Sequence, residues 1–234
     1  MVLEKKFKIG FVFFIIIAVS AGGFLWYKKH HAAAPKEFGK LLPDINRHLT
    51  DDQRKIYTDR IGQANDYLKN LDFSQSGNRQ GEINTYIYLG QQYYGLGQME
   101  KSKSAYQQAL ALDHGNSDAI SGLAQTLSEG GDGGSAAQAL QAGLKNEPDN
   151  PSMWLLYIRI RQSLGASNAE LIDYYGQALL NTDSNIDILT SGAEFEEKIG
   201  QTDQAIVLWQ KAAKVNPDNG AAYQAEVVRL QENK

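Results

Sequence analysis

The chain has 234 residues, a formal net charge of −4 and an apolar fraction of 42%. Length and composition are those of a globular protein with one large domain or two small ones. The absence of cysteine excludes disulfides, thiolate metal sites and cysteine nucleophiles.

Charge is distributed unevenly along the chain. Residues 1–29 hold five lysines and one acid, which leaves 18 basic and 26 acidic residues in the remainder. Nucleic-acid binding depends on the neutralisation of phosphates by lysine and arginine. The acidic body therefore argues against a nucleic-acid partner and favours a soluble protein-binding domain.

A basic tail, residues 1–8, precedes an uncharged apolar stretch, residues 9–27. As a helix, these 19 residues extend about 28 Å, close to the roughly 30 Å hydrocarbon core of a bilayer. Lysines flank the stretch, and Trp26 and Tyr27 fall where an interfacial aromatic belt belongs. We therefore predict a transmembrane anchor helix over residues 9–27.

Two other interpretations of this stretch stay open. Val19, Ser20 and Ala21 are small enough for a signal-peptidase site, and cleavage there makes the chain a secreted protein. The apolar run continues past Ala21 to Tyr27, which favours an uncleaved anchor. A buried core helix is the third interpretation, but an all-round apolar helix needs more surrounding protein than a thin helical array offers.

Lysines on both sides of the stretch mean that the positive-inside rule does not decide its orientation. N-terminal anchors ahead of a large soluble domain commonly place that domain outside the cytoplasm. We therefore expect a single-pass protein of the plasma (inner) membrane whose folded domain lies outside the cytoplasm.

The region after the anchor divides in two. Residues 28–49 contain two prolines and a glycine with little periodicity, and they are interpreted as a linker. A helical lead-in is predicted over residues 50–81. It begins with a match to the capping-box pattern, in which Thr50 and Gln53 satisfy each other's backbone N–H groups.

From residue 82 the sequence repeats at a fixed period. Glycines recur after 34, 34 and 35 residues, at Gly97, Gly131, Gly165 and Gly200. Large side chains keep a similar spacing, at Tyr106, Leu140, Tyr175 and Trp209. The glycines are predicted to end the first helix of each unit, because a left-handed residue costs glycine least.

These residue types at this period resemble the tetratricopeptide repeat (TPR), with its pattern W-x2-L-G-x2-Y, A-x3-F and P. The first unit carries Tyr86, Leu89, Gly90 and Tyr93 at the spacing of the first motif. Small residues such as Gly90 and Ala124 are expected to let two helices approach closely.

The later units match the pattern to different degrees. The fourth carries Ala205, Trp209 and Pro217 at the spacing of the second motif and the proline. The third departs most, with Leu171 in place of the small residue and Asp183 in place of proline. Four units in register carry the resemblance across residues 82–219.

The resemblance implies an all-α fold, a TPR α-solenoid of about four helix hairpins plus a capping helix, preceded by the transmembrane helix. The repeats are placed at residues 82–116, 117–150, 151–185 and 186–219. Residues 220–234 are expected to form the capping helix, with a polar outer face. Together with the anchor, the resemblance is to a bacterial-type membrane-anchored TPR protein.

A concave groove lined by the first helix of each hairpin is a further implication of the resemblance. Its expected partner-binding residues are Asn84, Ile87, Gln91, Tyr94, Asp118, Ser121, Gln125, Leu155, Arg159, Gln162, Asp187, Thr190, Glu194 and Glu197. The groove changes from apolar and aromatic at Ile87 and Tyr94 to acidic at Glu194 and Glu197. This change predicts a partner segment that is apolar near Tyr94 and basic near Glu194.

We expect a scaffold that holds another protein or peptide segment at a membrane, in the assembly of a membrane or envelope complex. The chain has no recognisable nucleotide loop, metal-ligand pair or catalytic constellation. No catalytic activity, cofactor, metal or small-molecule substrate is therefore expected. The alternative functions are a non-catalytic subunit of an enzyme complex and a secreted TPR protein.

Overall fold

A computed structural model describes residues 41–72 and 77–233. Within these residues the regular elements are ten α-helices and one short 3-10 turn, with no β-strand. In chain order the helices are α1 (Asp51–Asn70), α2 (Asn78–Gly95), α3 (Met99–Leu112), α4 (Ser117–Glu129), α5 (Gly133–Asn146), α6 (Pro151–Ser163), α7 (Asn168–Asn181), α8 (Ile186–Lys198), α9 (Thr202–Val215) and α10 (Gly220–Glu232).

Helices α2 to α9 form four consecutive hairpins, each of which packs against the next. Helix α1 packs on α2, and α10 covers the last hairpin by packing on α9. The predicted all-α solenoid of four hairpins with a terminal helix is therefore confirmed. None of the helices in the described residues is long and apolar enough to cross a membrane. The predicted anchor, residues 9–27, lies outside that range.

Glycines end the first helix of every hairpin, as predicted. Gly97, Gly131, Gly165 and Gly200 all have positive φ, between 79° and 86°. The residue after each glycine donates its N–H to the carbonyl five positions earlier, at 2.8–3.0 Å. This is the Schellman arrangement, which satisfies carbonyl groups that a helix end leaves without partners.

Close helix packing explains the small residue in the first repeat. A Cβ atom on Gly90 would collide with the ring of Tyr106, which is 4% exposed. At the position equivalent to Tyr106, Leu140 and Trp209 are also buried. Tyr175 is only half-buried, stacked on Phe195 at 5.4 Å with its hydroxyl 3.0 Å from Ser191 Oγ.

Helix α1 begins with the predicted capping box. Gln53 N–H donates to Thr50 Oγ1 at 3.2 Å, and Thr50 N–H donates to Gln53 Oε1 at 3.0 Å. One buried residue of α1, Ala64, packs with Leu89 and Ala105 of the first hairpin. The lead-in helix thus extends the stack at its N-terminal end.

Residues 41–50, called the arm from here on, fall largely within the region interpreted as a linker. They have no regular secondary structure, yet they pack against the turns of the first two hairpins. Ile45 N–H donates to Gly97 O at 2.8 Å, and Leu42 N–H donates to Glu100 Oε2 at 2.9 Å. Leu42 is 5% exposed and lies against Gly130, where a Cβ atom would collide with it.

The third hairpin is the least regular, in line with its departures from the repeat pattern. Its second helix, α7, buries only Leu171 and Ala178, and Leu180 is 85% exposed. Asp183 and Ser184, which follow this helix, both have positive φ, at 50° and 59°. The position where the second and fourth units carry proline is here a strained turn made by residues other than glycine.

The exposed surface of α10 is mixed, where a polar face was predicted. Its exposed polar residues are Gln224, Arg229, Gln231 and Glu232, and its exposed apolar residues are Ala221, Ala222, Ala225 and Val228. Val227 and Leu230, on the opposite face, are buried against α8 and α9.

Candidate groove between the first helices of the hairpins

The first helices of the hairpins, α2, α4, α6 and α8, carry the residues predicted for the groove. A cavity of about 330 Å³ lies between α2 and α4. It is lined by Gln91, Tyr94, Tyr106, Asp118, Ser121, Gly122 and Gln125. Five of these seven residues were predicted for the groove from the sequence, and their role in binding stays a prediction.

The floor of the cavity was not predicted from the sequence. Tyr106 was noted only as one of the large side chains that repeat along the chain, and the sequence offered no role for Gly122. A Cβ atom on Gly122 would collide with the ring and hydroxyl of Tyr106, so glycine leaves the space that the tyrosine fills. Burial is the main cause that raises the pKa of Tyr106, so its phenol stays protonated at neutral pH.

One wall of the cavity is held by a hydrogen bond between neighbouring hairpins. Gln125 Nε2 donates to the hydroxyl oxygen of Tyr94 at 3.0 Å. Burial raises the pKa of Tyr94, so this phenol also stays neutral at physiological pH. The pair fixes the position of the Tyr94 ring across the gap between α2 and α4.

Arg47 of the arm lies over the ring of Tyr94, and sequence reasoning missed it. Its guanidinium lies 4.8 Å from the centre of the Tyr94 ring. It donates to both carboxylate oxygens of Glu129, at 2.5 and 3.0 Å. These hydrogen bonds lower the pKa of Glu129. Arg47 lies 82 positions from Glu129 in the chain, too far for any local pattern to pair them.

The remaining predicted residues of the first repeat lie apart from the cavity. Ile87 is 8% exposed and packs in the core, so its side chain offers no groove surface. Asn84 is exposed and accepts a hydrogen bond from Gln80 Nε2 at 2.8 Å. The expectation that Ile87 and Tyr94 form an apolar patch in the groove is therefore wrong, because the side chain of Ile87 is buried in the core.

In the third repeat, Arg159 and Gln162 are exposed on α6, while Leu155 is half-buried against the core. The other arginine of this helix, Arg161, is engaged. It lies over the ring of Tyr174 at 5.6 Å and pairs with Glu170 at 3.4 Å. Arg159 is thus the base that this helix leaves at the surface.

The acidic end of the groove is smaller than the sequence indicated. Asp187 and Glu194 are exposed on α8, and Thr190 is half-buried. Glu197 instead accepts a hydrogen bond from Arg229 of α10 at 2.7 Å, which lowers the pKa of its carboxyl. Glu197 therefore links the fourth hairpin to the capping helix and is not a free carboxylate of the groove.

No group of three or more histidine, aspartate or glutamate residues that could hold a metal ion occurs in the described ranges. The groove offers amides, hydroxyls, aromatic rings and scattered charges. These groups suit the recognition of a polypeptide by hydrogen bonds and shape.

Helix hairpins that stack one on the next define an α-solenoid. Residues 93–160 match the tetratricopeptide repeat family. The described helices form a TPR-like solenoid that contains this match, and such a fold suggests a scaffold for protein–protein interaction.

Solved structures are similar to this chain at low sequence identity. A tetratricopeptide repeat protein from Parabacteroides merdae ATCC 43184 is 13% identical with a TM-score of 0.51, over 65% of this chain and 61% of the other. A crystal structure of the MamA protein is 16% identical with a TM-score of 0.47, over 68% of this chain and 94% of the other. No match was found among curated proteins.

Proposed function

We propose that the chain is a membrane-anchored TPR scaffold that holds another protein or a peptide segment in its concave groove and catalyses no reaction. The cavity between α2 and α4 is the observation that carries this proposal. Gln91, Asp118, Ser121 and Gln125 present polar groups there on two rigid helices of neighbouring hairpins. Polar groups that converge on rigid helices bind a partner at a small cost in conformational entropy.

The membrane part of the proposal is supported by the uncharged stretch at residues 9–27 with its flanking lysines. The arm adds an argument about placement. Leu41 follows Tyr27 by 14 residues, so at most about 50 Å of extended chain separates the anchor from the arm. A scaffold held this near the bilayer, outside the cytoplasm at the inner membrane, suits the assembly of a membrane or envelope complex.

Site-specific photo-crosslinking tests the groove. A benzophenone amino acid is placed at Gln125, which lies in the groove, or at Gln141, which is exposed on α5 outside the groove. In native membranes we expect a discrete crosslinked product from position 125 and none from position 141. The product from position 125 should weaken when Tyr94 is also changed to alanine. Equal products from both positions, or no product from position 125, would contradict the groove as the binding surface.

Carbonate extraction of membranes tests the anchor separately. The full-length chain should stay in the membrane pellet, while a chain that lacks residues 1–27 should be released. A mature N-terminus at Gly22, or release of the full-length chain, would show that residues 9–27 do not anchor the protein. Neither result would bear on the groove.

A further inference from the structure

The cavity between α2 and α4 contains one carboxylate and no basic group among its lining residues. The carboxylate belongs to Asp118, which lies in the first turn of α4 and is exposed. Within the described residues, no hydrogen bond or ion pair involves this side chain. Asn116 already caps the helix by accepting from Ala119 N–H at 3.0 Å, so Asp118 is not needed as the cap.

The other lining groups favour a cation as well. The faces of aromatic rings carry negative potential, and both Tyr94 and Tyr106 line the cavity. Gln125 uses its Nε2 group to bond Tyr94, so its amide oxygen remains an acceptor. The amide oxygen of Gln91 and the hydroxyl of Ser121 add two more acceptors.

The charged groups nearest the cavity do not oppose a cation. Arg47 lies over the Tyr94 ring, but it is neutralised by the two hydrogen bonds to Glu129 and is not among the lining residues. Burial is the first cause that raises the pKa of Tyr106, and the charge of Asp118 adds to it. The one formal charge among the lining residues is therefore negative.

We propose that this cavity receives the side chain of a basic residue of the partner, and that arginine fits it best. A planar guanidinium can stack on a tyrosine ring while it donates to Asp118 and to the amide oxygens. A volume of about 330 Å³ is at the small end for a ligand pocket and suits one long side chain. This inference rests on the proposed function and names the chemistry of one contact within it.

Other side chains fit the cavity less well. A carboxylate, including a C-terminal one, would be repelled by Asp118. An apolar side chain would remove water from Asp118 and the two glutamines without replacing their hydrogen bonds, which is costly. The sequence predicted a basic residue of the partner near Glu194 and an apolar residue near Tyr94. The proposal places a second basic residue of the partner beside Tyr94 instead of the apolar one.

The test uses the full-length chain in detergent micelles and three capped pentapeptides, Ala-Ala-Xaa-Ala-Ala, with arginine, citrulline or leucine at the centre. Citrulline keeps the shape of arginine and removes its charge. Dissociation constants are obtained by titration with saturation-transfer NMR. We expect the citrulline peptide to bind about fivefold more weakly than the arginine peptide, the scale of an exposed ion pair. The leucine peptide should be weaker still.

Two matched variants test whether the preference for the arginine peptide depends on Asp118. Asp118→Asn should remove the preference for arginine over citrulline, while Asp52→Asn, in the first turn of α1 and outside the groove, should leave it unchanged. Added salt should weaken binding of the arginine peptide to the unaltered chain more than binding of the citrulline peptide. This last measurement needs no substitution.

Equal binding of the arginine and citrulline peptides would overturn the proposal and point to recognition of peptide amides alone. A preference for arginine that survives Asp118→Asn would overturn it too, because the cation would then bind elsewhere. The crosslinks from Gln125 are independent of these peptides. A groove that captures a partner without preferring arginine would leave the proposed function intact and refute only the basic contact.

Discussion

Trp209 is the large buried side chain that holds the last hairpin to the capping helix. It is 7% exposed, packs with Leu189 and Leu230, and stacks on Tyr223 at 5.8 Å. Trp209→Ala should lower the free energy of unfolding by about 3–5 kcal/mol. Val207→Ala on the same helix, at a side chain that is 44% exposed, should change it by less than about 0.5 kcal/mol. Urea unfolding followed by circular dichroism measures both, and a loss below about 1 kcal/mol for Trp209→Ala would remove Trp209 from the core.

The backbone at Asp183 is strained, and a glycine at this position would relieve the strain. Its φ is 50°, and the next residue, Ser184, donates its N–H to Leu179 O at 2.9 Å, as the glycine turns do. Asp183→Gly should therefore raise stability by about 0.5–1 kcal/mol, less than the full left-handed penalty because glycine is more flexible when unfolded. Thr182→Gly is the matched control, since Thr182 has a φ of −104° and gains nothing from glycine. A thermal shift in the opposite order would contradict this account.

At the scale of a single element, the packing of the arm against the first two hairpins should depend on pH. Hydrogen bonds from Arg47 lower the pKa of Glu129 below its ordinary 4.5. Because the folded pKa is the lower one, the ion pair stabilises the docked arm above pH 4.5, and this contribution is lost as the pH falls through the lowered pKa. We expect the Ile45 amide, bonded to Gly97 O, to lose protection from hydrogen exchange in that range.

Substitution separates this ion pair from a general effect of acid. Glu129→Gln should weaken the protection of the Ile45 amide at neutral pH and remove its acid step. Glu194→Gln, at an exposed carboxylate of the groove, should leave the acid step in place. An unchanged acid step in Glu129→Gln would show that another group controls the arm.

Elements with a periodic signal could be predicted from the sequence, and the arm could not. Helix hairpins repeat the same few contacts, so glycines at a spacing of 34 or 35 residues mark every turn. The arm is held by single contacts to distant residues, such as Leu42 to Gly130 and Arg47 to Glu129. A proline-containing stretch with no period gives no sign of such contacts.

The groove was predictable as a surface but not in its details. Helical spacing placed Gln91, Tyr94 and Gln125 on facing helices, and the structure brings all three to one cavity. Spacing alone did not show that Ile87 turns into the core or that Glu197 reaches a base on α10. Both outcomes depend on how neighbouring helices pack, which a repeat pattern does not encode residue by residue.

Across the whole molecule, the apolar core is divided between the N-terminal repeats and the C-terminal end. The larger cluster extends from Leu42 to Phe195, and a separate cluster joins Leu189 to α9 and α10. Helix α7, the second helix of the third hairpin, buries only two residues, whereas α5, the second helix of the second hairpin, buries six. Repeat proteins are stabilised by units and by the interfaces between neighbours. A weakly packed helix at this place should therefore let the two ends unfold at different free energies.

Hydrogen exchange of two variants tests this division. Trp209→Ala should reduce protection in α9 and α10 and leave α2 to α5 nearly unchanged, because its contacts lie in the C-terminal cluster. Leu140→Ala removes a fully buried side chain at the equivalent position of the second repeat, within the larger cluster. It should reduce protection in α4 to α6 by about 2–5 kcal/mol of opening free energy and affect α9 less. Equal losses in every helix for either variant would mean that the solenoid unfolds as one cooperative unit, with no weak place at α7.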